Sequence, residues 1–197
     1  MNGSSPNEPG DPYEAEFRRA SISALAGNAK GWREIERLYE AGSPRSSLLI
    51  ADALRIGRPY AQDLQYARRI YERAAKVGFV RGTHGMGLVD RKLDQYKKAI
   101  DEFSYCIERN YAPSMNILAL MYMYGEGVSR DISASYDLWV RASKLGHSRS
   151  GKNLGLFLIR GFYGPARMPI GAAFWISGLI SELSGIVFKN NVDDFIE

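Results

Sequence analysis

The stretch with the most chemical promise is Gly146-His-Ser-Arg-Ser-Gly151-Lys152-Asn153. It stands one residue from a phosphate-binding P-loop, whose backbone N–H groups cradle phosphates while a lysine reaches them. Asn153 sits where a serine or threonine hydroxyl would have to hold magnesium. A P-loop also follows a strand, and the residues before Gly146 follow a helical pattern. Gly146 reads better as a helix stop, and Asn153-Leu154-Gly155 as helix core. His84 and His147, the only histidines, form no i, i+4 pair with another metal-ligating residue. Cys106, the only cysteine, stands at a small core position and reads as a buried inert thiol. Asp90 with Asp94, and Asp101 with Glu102, are carboxylate pairs, and they read as solvated helix charges. The chain therefore reads as a non-enzyme, with no catalytic set, no metal site and no cofactor expected.

The charge balance adds little chemistry. The net charge is +4 and the pI about 9.1. Arg68, Arg69, Arg73 and Lys76, and Arg91, Lys92, Lys97 and Lys98, alternate with acids, as solvated helix faces do. Nucleic-acid binding would want a one-sided basic stripe with stacking aromatics. The aromatics here fall at core positions, so no nucleic-acid partner is expected. A single cysteine excludes an intramolecular disulfide, which points to a reducing compartment. The expected location is cytoplasmic.

The elements that carry these residues are helices in pairs. From Ala112 to Tyr124, Met115, Leu118, Ala119 and Tyr122 share one helix face. Gly125 and Gly127 break that helix. Asp131, with Ser133 also available, can cap the next one. Tyr136, Trp139 and Ala142 form its apolar stripe, which Leu138 and Leu145 widen. Gly146 is the left-handed stop. A second copy runs from Ser46 to Gly78, where Gly57, Asp63, Tyr71, Ala74 and Gly78 keep the same internal spacings. Phe79 to Asn110 is shorter by four residues. There Phe103 replaces the aromatic, Cys106 the alanine, and Asn110 the closing glycine. Asparagine is the next-best residue for that left-handed position.

Leu118-Ala119, Gly125-Glu126-Gly127-Val128, Asp131, Trp139, Ala142 and Gly146-His147 resemble the Sel-one-like repeat (SLR), a cousin of the tetratricopeptide repeat. Ala119 departs from the family's glycine. The resemblance covers about residues 46 to 160. It implies an all-α fold, a right-handed α-solenoid of antiparallel helix pairs, folding as one domain over 13–188. The repeats would span about 13–45, 46–79, 80–111, 112–147 and 148–188. Phe17, Ile22 and Leu25, then Ile35, Leu38 and Tyr39, would mark the first as a cap ending at Gly42. Residues 1–12 and 189–197 read as flexible tails.

The helix over Met168 to Phe188 departs from the family. It carries one charge, Glu182, in 21 residues. Two readings stand. In one, the helix docks on the array or on a second copy, using Gly171, Gly178 and Gly185 as a small-residue seam, which makes a homodimer one expected partner. In the other it is a membrane anchor, since its length suffices and Arg160 and Arg167 flank it. The second reading would place the protein at a membrane as a tethered scaffold.

The resemblance also implies a binding role, as SLR proteins are commonly adaptors that assemble membrane-associated or signalling complexes. Its first helices would line a concave groove. On this chain they bring Asp52 and Arg55, then His84, Leu88, Arg91 and Lys92, then Asn116, Leu120 and Met123, then Lys152, Leu156, Ile159 and Arg160 toward it. That mixture of apolar and basic side chains suits a partner protein's segment with apolar anchors and acidic residues.

Overall fold

A computed structural model describes residues 9–162, 164 and 167–188, of which 181–188 are described by their backbone alone. The regular structure among the described residues is helical throughout, without a strand. Ten helices follow in order: α1 Glu14–Leu25, α2 Ala29–Glu40, α3 Pro44–Ile56, α4 Leu64–Lys76, α5 Val80–Lys92, α6 Tyr96–Glu108, α7 Ala112–Tyr124, α8 Ile132–Lys144, α9 Ser148–Ile159 and α10 Met168–Phe188. They pack as sequential antiparallel pairs. The described residues up to Glu102 form one compact block and those from Phe103 onward a second.

Local chemistry fixes where each helix starts and stops. Asp63 and Asp131 cap α4 and α8, their side chains accepting from Tyr66 N at 2.8 Å and Ala134 N at 2.9 Å. These bonds satisfy donors that a helix start leaves orphaned. Gly57 and Gly125 end α3 and α7 at φ of 87° and 70°, where only glycine escapes the Cβ clash. Asn110 adopts the same left-handed conformation at φ 57°. So does Asp94, at φ 58°, in the shortened turn between α5 and α6. His147 caps α9, its Nδ1 accepting from Ser150 N at 3.2 Å. The glycine-lysine stretch at 146–153 thus lies in a helix-stop and helix-start pair, without the preceding strand a P-loop needs.

In the N-terminal block the core gathers Phe17, Ile35, Leu38, Leu48, Leu49, Ile70, Tyr71, Phe79 and Val89. Ile22 and Leu25 fall within α1 as expected, and are 43% and 36% exposed. The buried face of α1 is Phe17, Ala20, Ser21 and Ala24. The reason is close approach: a Cβ on Gly31 of α2 would lie 2.2 Å from Ala24 N, so small side chains occupy the contact. At the end of the expected tail, Asp11 is buried and accepts from Ser43 Oγ at 2.6 Å and Arg45 N at 3.0 Å. Residues 1–8 and 189–197 lie outside the described residues.

In the C-terminal block, Ala119, Met123, Trp139, Leu154, Phe157 and Leu158 form the core. Phe157 meets Trp139 edge-on, with ring centroids 5.6 Å apart. Leu145, expected to widen the α8 stripe, is 48% exposed beyond the helix end. The α10 helix lies against α9 along glycine. A Cβ on Gly155 would meet Trp175 N at 2.5 Å, and one on Gly171 would meet Leu158 Cβ at 2.7 Å. Gly178 sits as close to Lys152. The small-residue seam therefore carries helix packing within the chain, at Gly171 and Gly178. Among the described residues no helix is long and apolar enough to cross a membrane.

Candidate protein-interaction surface

The polar centre of the N-terminal block is Asp52 on α3. It is 5% exposed. A carboxylate so buried must be paired or hydrogen-bonded. Its Oδ2 accepts from Arg81 Nη2 at 2.7 Å and its Oδ1 from Arg55 Nη2 at 3.4 Å. The fully buried Tyr71 hydroxyl donates to the same Oδ1. Burial, and after it the Asp52 carboxylate, push that phenol well above its usual range. Arg55 Nε in turn donates to the Tyr71 oxygen at 3.3 Å. Tyr71 reaches this position because α5 is bare opposite it: a Cβ on Gly85 would lie 2.3 Å from the ring.

Two arginines therefore serve one carboxylate, and the surrounding side chains add more positive charge. Lys92 is exposed, with Nζ donating to the Arg55 carbonyl at 3.5 Å. Arg91 and Leu88 are half-buried on α5, and His84 is buried on the same helix. The structure thus brings Arg55 to Asp52 and Lys92 to the Arg55 carbonyl. It adds Arg81 and the Tyr71 hydroxyl, neither of which the sequence singled out for this role.

A second buried charge cluster overturns an expectation. Asp90 and Glu102 were read as solvated helix charges, yet Asp90 is fully buried and the Glu102 side chain is 14% exposed. Arg68 of α4 explains this. Its Nε and Nη2 grip Asp90 in a two-pronged pair at 2.7 and 3.0 Å, the geometry in which a guanidinium best matches a carboxylate. Nη2 also donates to Glu102 Oε1 at 3.4 Å. Burial, then the nearby Asp90 charge, raise the Glu102 carboxyl to about 7.

In the C-terminal block the expected groove residues divide by burial. Asn116 is 1% exposed, and its Oδ1 accepts from Trp139 Nε1 at 3.1 Å, Asn153 Nδ2 at 2.9 Å and Ser150 Oγ at 3.3 Å. It is a hub that ties α7 to α8 and α9. Met123 is buried in the core, with Leu120 packed against it. Lys152 and Ile159 are half-buried, while Leu156 and Arg160 are exposed. Among the described residues no group of three or more His, Cys, Asp or Glu could hold a metal ion.

Residues 48–79 and 112–147 match the Sel1 repeat family. No curated protein matches the chain. Several solved structures share the fold at low identity. A Sel1 repeat protein from Oxalobacter formigenes is 18% identical with a TM-score of 0.65, over 84% of this chain and 69% of that one. A protective antigen of uropathogenic Escherichia coli, c5321, is 18% identical with a TM-score of 0.61, over 86% of this chain and 38% of its own. The immunity protein Pa5087 from Pseudomonas aeruginosa is 20% identical with a TM-score of 0.60, over 78% of this chain and 61% of its own.

Proposed function

We propose that this Sel1-like repeat protein is a non-enzymatic interaction scaffold, and that α3 and α5 take an acidic, apolar-anchored segment of a partner protein. Sel1-like repeat proteins commonly mediate protein interactions, and their fold is typically non-catalytic. The observation that carries the reading is the gathering of basic side chains around Asp52. Arg55, Arg81 and Lys92 converge on it or on its neighbour's backbone, and Arg91 stands one residue from Lys92. Lys92, exposed beside this cluster, is placed to meet a partner's acids. Leu88, half-buried one turn from Arg91 and Lys92, offers the apolar contact.

The test is a double charge reversal, Arg91→Glu with Lys92→Glu, which spares Asp52 and its Arg55, Arg81 and Tyr71 partners. Wild type and variant are titrated against an array of synthetic peptides that vary in acidic and apolar content. Salt-sensitive binding of acidic-apolar peptides, lost by at least tenfold in the folded variant, is the expected result. Binding that is indifferent to both salt and the reversal would remove α3 and α5 from the recognition surface.

A further inference from the structure

The helix α10 leaves an apolar face uncovered. In α4, α6 and α8 the aromatic at one repeat position is buried: Tyr71 and Phe103 at 0% exposure and Trp139 at 3%. Trp175 stands 36 residues after Trp139, at the same position in α10, and is 37% exposed. Trp139 is covered by Phe157 of the helix that follows. Among the described residues no helix follows α10 to do the same for Trp175.

Five of the exposed large residues of α10 share one face, while Ile170 and Phe174, 52% and 38% exposed, lie outside it. Met168, Trp175, Ile176, Leu179 and Ile180 are 40%, 37%, 50%, 37% and 59% exposed. At 3.6 residues per turn they span an arc of about 140°, turned away from the Gly171 and Gly178 seam that holds α9. Ala172 lies within that arc and Ala173 at its edge, beyond Ile180.

We infer that this face of α10 binds the same face of a second copy of the chain, in a two-fold pair. Two observations favour a second copy. Residues 168–180 carry no charge, so two copies of this face meet without repulsion, whereas the chain as a whole is +4 and repels itself elsewhere. The area also suffices: five large side chains at these exposures offer roughly 500 Å² per copy, so about 1,000 Å² in the pair. That meets the lower bound for a specific interface. This inference stands apart from the α3 and α5 reading, whose peptide test does not depend on it.

The test measures the mass of the full chain in solution by light scattering over a range of concentrations, beside an Ile176→Glu, Ile180→Glu variant. An Ala173→Glu variant serves as the second, since that position is exposed and its change leaves the α9 seam untouched. Wild type is expected at twice the 22.0 kDa chain mass, with both folded variants falling to a single chain. If the double variant fails to fold, Ala173→Glu decides alone. A monomeric wild type at 100-fold higher concentration than the assay's lowest would overturn the pair. So would a dimer that both variants leave intact. Binding of a monomeric wild type to neutral phosphatidylcholine vesicles, lost in the variants, would assign the face to lipid and also overturn it.

Discussion

Replacing Glu102 with glutamine should stabilise the N-terminal block at alkaline pH and leave it unchanged in acid. The Glu102 carboxyl titrates near 4.5 when exposed and is raised to about 7 in the fold, first by burial and then by Asp90. A group with a raised acid pKa binds more protons folded than unfolded between those two values. Stability from this group therefore falls as pH rises from about 4.5 to about 7, and stays low above that. Each pKa unit is worth ~1.4 kcal/mol, so the ionised carboxylate costs the fold about 3 kcal/mol at most. Its 14% exposure lets water screen part of that, so a gain of about 1 to 3 kcal/mol is expected at pH 8. Glutamine keeps an oxygen for the long Arg68 contact, and Asp90 still holds Arg68 by two short bonds. The assay is urea unfolding of both proteins at pH 4.5 and pH 8, followed by circular dichroism. The difference between the proteins is the readout, because every other titrating group cancels in it. A glutamine variant that is less stable than wild type at pH 8, or equally shifted at both pH values, would refute the burial argument.

Other substitutions probe how the helices are held. Gly85→Ala would drive a methyl to 2.3 Å from the buried Tyr71 ring; overpacking of about 1 to 3 kcal/mol should outweigh the gain in helix propensity of about 1 kcal/mol, lowering the melting temperature. Gly151→Ala is the matched control, since its methyl would meet only Ser143 Oγ at 3.6 Å, and it should raise stability by roughly 0.5 to 1 kcal/mol. Asp131→Ala removes the acceptor for Ala134 N and should cost about 1 kcal/mol in denaturant unfolding, while Asp131→Asn should recover most of it.

What the sequence shows clearly here is whatever a helix decides within a few residues of itself. Asp63 and Asp131 announce helix starts because a cap needs only its own backbone two or three residues on. Gly57, Gly125 and Asn110 announce stops because a left-handed residue is a local steric matter. Two copies of the repeat were legible for that reason, and so was the pairing of the helices. Faces were harder to read, because a face is decided by what lies across from it. Ile22 and Leu25 mark α1 by their hydrophobicity, yet its buried face is Phe17, Ala20, Ser21 and Ala24, with α2 approaching closely at Gly31 beside Ala24.

Charges pose the same problem more sharply. Asp90 is buried only because Arg68, 22 residues earlier, lies opposite it, and no spacing within α5 records that. Asp52 likewise depends on Arg81, 29 residues on, and on a tyrosine admitted by the bare backbone at Gly85. Tyr71 was legible as a core aromatic and illegible as a hydrogen-bond donor to a carboxylate, since its ring obeys the repeat and its hydroxyl obeys Asp52. The positions that fold this chain and the positions that give it a charged surface are therefore partly the same. Substitutions at Asp52, Tyr71 or Arg81 would disturb both at once.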